Sequence, residues 1–168
     1  MTVRIITDTA SGLPRGEAER LGIATVSLYL NESGATIPEA EVDVSTLYER
    51  IAKRAPLPTT SLPTPEDFAA AFTEAAQAGD AAVAVLISSK MSGTILSAQI
   101  GAKLARQVHP KAHIAIVDSE SNSMQEGFAV RAAAECARGG GDAAACVSAA
   151  RSSIPRRHQS LCGVPGRG

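Results

Sequence analysis

Short runs of β-branched and aliphatic residues alternate along this chain with longer stretches whose apolar positions recur every three or four residues, the pattern of strands alternating with helices. Val3-Arg4-Ile5-Ile6-Thr7 reads as a strand ending at Asp8, and Pro14 opens a helix through Arg20 that Gly22 stops. Ile23 to Leu30 reads as a second strand, and the turn-rich Asn31-Glu32-Ser33-Gly34 predicts a hairpin into Ala35-Thr36-Ile37. Val44-Ser45 is placed to cap a helix from Thr46 to about Arg54, with Leu47, Tyr48 and Ile51 at helical spacing. Pro56, Pro58, Pro63 and Pro65 then force an extended connector. Glu66 to Ala78 returns to a helical pattern, with Phe68 and Phe72 on one face and Gly79 as its end.

Ala82 to Ile87 is continuously apolar, as a strand buried on both faces of a parallel sheet must be. The polar loop Ser88 to Thr94 follows, and then a helix from Thr94 to Val108. His113 to Val117 reads as another buried strand, ending at Asp118-Ser119. A helix through Met124 to Ala137 comes next, broken by Gly139-Gly140-Gly141, and Asp142 caps a last Ala-rich helix to about Ser152. The order predicts an α/β fold: a parallel sheet flanked by helices, joined by right-handed crossovers.

A length of 168 residues fits one ordinary domain, and 45% hydrophobic residues are enough for a core. Aromatic residues are only 3% of the chain and Trp is absent, so Ala, Val, Ile and Leu must build that core. Sixteen basic against seventeen acidic residues argue against nucleic acid as a principal partner. The charges are unevenly placed, however. All seventeen acids precede residue 143, whereas Arg151, Arg156, Arg157 and Arg167 stand in an acid-free stretch. Cys136, Cys146 and Cys162 are odd in number and lack metal-type spacing, which fits a reduced, cytoplasmic setting. No apolar run approaches the length of a membrane span.

Ligands of open parallel sheets bind outside the carboxyl ends of the strands. Three such ends carry polar loops here: Thr7 to Ser11, Ser88 to Thr94, and Asp118 to Ser121. The connector Pro58-Thr59-Thr60-Ser61-Leu62-Pro63 adds a fourth cluster of hydroxyls. Hydroxyls and backbone N–H groups at a helix N-terminus suit an anionic head group, phosphate or carboxylate. Each of these residues also has a plainer role. Ser, Thr and Asp before helices ordinarily serve as caps, and strand-end Asp8 and Asp118 are placed either to organise loops through Asx turns or to act as catalytic or metal-binding carboxylates. Ser92-Gly93-Thr94 stands out because Gly93 permits close backbone approach to a ligand. Lys90 reads as solvated, Cys136 and Cys146 as core residues. His109 and His113 have no evident Ser or Cys partner for a nucleophilic triad, and no phosphate-loop or dinucleotide glycine motif is present.

Four blocks in order carry a family resemblance: Ile5-Ile6-Thr7-Asp8-Thr9-Ala10-Ser11-Gly12-Leu13-Pro14, Pro58 to Pro65 leading to Phe68, Ser88-Ser89-Lys90-Met91-Ser92-Gly93-Thr94, and Val117-Asp118-Ser119. Together they resemble the signature blocks of the DegV family, bacterial cytoplasmic fatty-acid-binding proteins. The resemblance implies a two-domain protein that buries a long-chain fatty acid's alkyl chain and uses no cofactor. Carried over by position, the carboxylate contacts are Thr60 with Ser61 beside it, and Ser92 supported by the backbone of Gly93 and Thr94. It further implies a carrier rather than an enzyme, one that in some members presents the carboxylate to a separate fatty-acid kinase. Leu62 stands where the family usually has Gln, Ile95 where it has Tyr, and Pro38 to Asp43 lacks the expected glycine-containing turn. The expected organisation is a DegV-like N-terminal α/β domain over residues 1–153 and an irregular basic tail over 154–168, read as non-family sequence from a truncation or frameshift, with the second domain missing. The same loops also fit an enzyme that holds a phosphorylated small substrate with Asp8 or Asp118 as base or metal ligand, or an inactive fragment.

Overall fold

The computed structural model describes residues 1–32, 34–53 and 56–154. Its main layer is a four-stranded, all-parallel sheet of β1 (Val3–Asp8), β2 (Ala24–Val26), β6 (Ala81–Leu86) and β7 (Ile114–Asp118), in the order β2-β1-β6-β7. A smaller antiparallel sheet, β4-β3-β5, is built from β3 (Tyr29–Glu32), β4 (Ala35–Pro38) and β5 (Thr59–Ser61). The helices are α1 (Arg15–Leu21), α2 (Val44–Ala52), α3 (Pro65–Gln77), α4 (Thr94–Val108), α5 (Ser123–Arg138) and α6 (Ala143–Ser153).

Strand periodicity divides the core into two. Ile5, Val83, Val85 and Val117 project to one face, where they meet Ala18 and Leu21 of α1, Ala129, Val130, Ala133 and Ala134 of α5, and Cys146 and Ala150 of α6. Ile6, Ala82, Ala84 and Leu86 project to the other, against Phe68 and Phe72 of α3 and Ala98, Ala102 and Ala105 of α4. With no Trp and few other aromatics, the core relies on small side chains that bring backbones close. The α3–α4 contact shows this at Gly101, where a Cβ would stand 2.6 Å from the Pro65 carbonyl oxygen and 2.7 Å from Phe68 Cβ. The stacked rings of Phe68 and Phe72, 6.1 Å apart, fill the space beside it.

Most element ends follow local chemistry. Thr64 and Asp67 form a reciprocal capping box with Pro65 at the first helical position of α3. Gly22 closes α1 at φ 69° in the left-handed region. Asp142 accepts the Ala145 N–H at 2.8 Å to cap α6. Two expectations need correction. The run Ile23 to Leu30 is not one strand: it divides at Ser27-Leu28 into β2 of the parallel sheet and β3 of the antiparallel one. The division is made by tertiary hydrogen bonds, with Leu28 N–H donating to Thr9 Oγ1 at 3.0 Å and Ala40 N–H to Ser27 Oγ at 3.1 Å. The cap of α2 is Asp43, whose carboxylate accepts the Ser45 and Thr46 N–H groups, so that Val44 and Ser45 are already helical. The hairpin joins β3 to β4 as expected, and the connector contains a strand, β5, paired to β3 with Leu30 opposite Thr60 and Tyr29 opposite Ser61. The proposed tail lies outside the described residues from 155 onward, as do Ser33, Arg54 and Ala55.

The small sheet is fastened to the body by polar contacts. Tyr29 hydroxyl donates to Asp67 Oδ2 at 2.9 Å, joining β3 to the capping box of α3, and Arg50 of α2 makes a two-pronged pair with Glu32.

The same substitution at two helical glycines is expected to have opposite signs. Gly101→Ala should cost about 1–3 kcal/mol, because Pro65 backbone must move. Gly16→Ala, with nothing within 4 Å of the added methyl, should be neutral or stabilising by up to about 1 kcal/mol. Urea denaturation midpoints at constant slope measure both.

Candidate functional site

The chain leaves β1 toward β2 on one side and β6 toward β7 on the other, so the crevice between the carboxyl ends of β1 and β6 is the topological switch point of the sheet. The ladder itself opens there. Val3 to Ile6 pair with Ala81 to Ala84, but Thr7 and Asp8 pair only with β2. Asp8, fully buried, bridges the gap with its side chain: Oδ1 accepts the Ala10 N–H at 2.9 Å and Oδ2 the Ile87 N–H at 3.0 Å. Across the sheet, Asp118 accepts the Glu120 N–H at 2.9 Å and takes Ser89 through both its N–H and its hydroxyl, the latter at 2.5 Å. Both aspartates therefore form the expected Asx turns, and each also grips the start of the loop that follows β6.

That loop runs from Ser88 to the N-terminus of α4. Ser88 N–H donates to Ser121 O at 2.9 Å, and Lys90 N–H to Ser88 Oγ at 3.2 Å. Gly93 is the cap residue of α4 and offers no side-chain cap, leaving the first turn open to an outside acceptor. Ser92 Oγ lies 2.8 Å from Thr94 Oγ1 and accepts the Thr94 N–H at 3.3 Å. Thr94 is buried, and either hydroxyl of this pair can donate to the other. Ser92 is half-buried and Gly93 exposed.

The connector arrives beside this loop. Ser97 hydroxyl, one turn into α4, donates to the Pro63 carbonyl at 2.6 Å, and a Cβ on Gly93 would stand 3.2 Å from Leu62 Cδ2. The structure thus brings the Leu62–Pro63 segment onto the Ser92-Gly93-Thr94 turn. Thr60 and Ser61 precede it on the edge strand β5, both exposed, with Ser61 Oγ accepting from Asn31 Nδ2 at 3.2 Å. Lys90 is exposed at the loop's tip, and Leu62 and Met91 leave apolar surface of 42% and 45% exposure beside the hydroxyls. Among the described residues, no cluster of three His, Cys, Asp or Glu side chains could hold a metal ion.

One residue of this region carried no motif. Glu126, in the first turn of α5, is fully buried beside Asp8, with Thr7 Oγ1 donating to its Oε1 over a long 3.4 Å. Gly127 next to it makes the burial possible, since a Cβ there would stand 2.8 Å from the Ser11 carbonyl oxygen. Burial first, and the neighbouring Asp8 charge second, push the Glu126 carboxyl up to about 10. Burial likewise pushes Asp8 up to about 6, against the pull of the Ile87 and Ala10 N–H groups. The sequence signal for Glu126 was its register: it lies three and four residues before the buried Ala129 and Val130.

Known proteins place this architecture. The family described as uncharacterised proteins of the DegV family matches residues 2–161. A DegV domain-containing protein of Clostridium perfringens is 35% identical over 142 residues, 84% of this chain and 50% of the relative. Among solved structures, a fatty-acid-binding DegV family protein from Thermus thermophilus superposes with a TM-score of 0.79 at 33% identity, covering 92% of this chain and 54% of the other. DegV of Bacillus subtilis, described as a fatty acid binding protein, gives 0.79 at 26% identity over 90% and 53%. The chain spans about half the length of these relatives, and the family match over residues 2–161 together with the 35% identity show that it belongs to the DegV family.

Proposed function

We propose that this chain binds a long-chain fatty acid, with the carboxylate held at the N-terminus of α4 and the alkyl chain leaving over the apolar surface beside it. The observation that carries the reading is the likeness to the Thermus thermophilus fatty-acid-binding protein at 33% identity over 92% of this chain. The head-group contacts are the Ser92 hydroxyl, the backbone of Gly93 and Thr94, and the hydroxyls of Thr60 and Ser61 across the connector. Hydrogen bonds to a charged acceptor are about twice as strong as neutral ones, and the positive end of a fifteen-residue helix adds to them. Methylene burial supplies most of the affinity, at about 0.8 kcal/mol each. In this role the protein is a carrier whose bound carboxylate is offered to a separate fatty-acid kinase, the phosphoryl-transfer chemistry lying with that partner.

The engagement of Asp8 and Asp118 bears on the enzyme reading. An aspartate serving as base or metal ligand needs a free oxygen facing substrate, whereas both oxygens of Asp8 accept backbone N–H groups in a fully buried position.

Titration of a fluorescent long-chain fatty acid, displaced by stearate, tests the reading in a protein that has no Trp background. Saturable stearate binding is expected, with the corresponding long-chain alcohol binding far more weakly; absence of binding to the folded chain overturns it. Ser92→Ala should weaken stearate by about 1.5–3 kcal/mol, roughly ten- to 150-fold. An unchanged affinity removes Ser92 from the head-group site.

A further inference from the structure

Two buried carboxyl groups, Asp8 at the carboxyl end of β1 and Glu126 in the first turn of α5, are left without a role by the fatty-acid reading. Asp8 and Glu126 are both fully inaccessible to solvent. The Asp8 oxygens are occupied by the Ala10 and Ile87 N–H groups, which require an acceptor and so favour the ionised form at this residue. Glu126 has only the long Thr7 contact at Oε1, and its Oε2 has no partner of normal geometry among the described residues, although the Asp8 carboxylate lies beside it. Two adjacent carboxylates in a dry site do not both ionise, and the one without N–H donors keeps the proton.

We infer that Glu126 is a positioning residue for the Ser88–Thr94 loop: as an uncharged acid it supports the Asp8 carboxylate, which holds Ile87 N–H and with it the root of that loop. The idea rests on the proposed fatty-acid site only for its functional meaning; the coupling itself is a property of the fold. Ile87 is the last residue before Ser88, so its amide sets the direction in which the loop leaves β6.

The charged neighbours are few. Glu39, which accepts the Thr9 hydroxyl at 2.5 Å, adds a small upward push on Asp8. Arg131, further along α5, is engaged with Glu17 of α1 at 2.7 Å. The loop should therefore be held between the two titrations, at about 6 for Asp8 and about 10 for Glu126. Below the first, one Asp8 oxygen becomes a hydroxyl and one N–H loses its acceptor. Above the second, the two carboxylates repel.

The test follows the Ile87 and Ala10 amide resonances, the two that Asp8 accepts, against pH in the ligand-free chain, together with stearate affinity. Glu126→Gln keeps a donor toward Asp8 but cannot ionise, so it should abolish the alkaline transition and leave affinity near pH 7 within about twofold of the parent. Glu126→Leu removes the donor and should raise the acid transition by about one pH unit, with stearate about tenfold weaker at pH 6.5. If Glu126→Leu does not fold, the alkaline limb in Glu126→Gln still decides. Identical amide transitions in Glu126→Gln and the parent overturn the inference, as does an affinity that ignores the amide shifts. If the amide transitions move as stated while no form binds stearate at any pH, the coupling stands and the fatty-acid reading fails.

Discussion

The grip of Asp8 on the Ile87 amide is the contact on which the carboxyl edge of the sheet depends. β1 and β6 are the two central strands, and every other strand of the main sheet is added outward from them. Their ladder ends at Ile6 and Ala84, two residues short of the end of each strand. Beyond that point the strands would part with buried N–H groups unpaired, each costing on the order of 1–3 kcal/mol. A side-chain carboxylate takes the Ile87 N–H in place of a ladder carbonyl, and its other oxygen caps the Thr9–Ser11 turn through the Ala10 N–H. The Asp8–Ile87 bond therefore continues the tie between β1 and β6 past the end of their ladder.

What places a carboxylate there is packing as much as sequence. α5 reaches β1 and the turn at Thr9–Ser11 because Gly127 has no side chain to keep it from the Ser11 carbonyl. The close approach seals Asp8 from water, and the seal is what raises its affinity for a proton and gives Glu126 its buried, unpartnered oxygen. On the opposite face, Gly101 does the equivalent for α3 and α4, pulling the connector's Pro63 within reach of the Ser97 hydroxyl. Two glycines in helix interiors, each unfavourable for the isolated helix, thus let α5 close on the turn after β1 and α4 close on the start of α3, where the connector ends.

The architecture was legible in the sequence wherever a local signal marked an element's end. Thr64-Pro65, Gly22, Gly79 and Asp142 fix boundaries by capping or by left-handed geometry, and the helix expected from Thr94 to Val108 has those bounds. The hydroxyl loops were legible for a similar reason, because their composition is itself the signal. Ile23 to Leu30 was not divisible from sequence, since its alternating aliphatic residues suit either sheet and the break is imposed by Thr9 and Ala40 from elsewhere in the chain. Nor did any motif mark Glu126: an acid in the first turn of a helix ordinarily complements the helix dipole in solvent, and only its spacing from Ala129 and Val130 hints at burial. Only the register of α5 against Ser11 turns that residue inward.

An anion site built from hydroxyls and backbone amides, with a solvated Lys90 as the cation of its loop, binds differently from one built on arginine. Neutral donors bring less long-range attraction, so the head group contributes orientation more than affinity, and the apolar part of the ligand must carry the binding energy. Such a site would tell a carboxylate from an alcohol through short-range hydrogen bonds to the charged oxygens rather than through a long-range field. Of the buried acid pair, Asp8 accepts the Ala10 and Ile87 amides and so ties the root of the Ser88–Thr94 loop to β1, and under the inference drawn above Glu126 beside it keeps the proton.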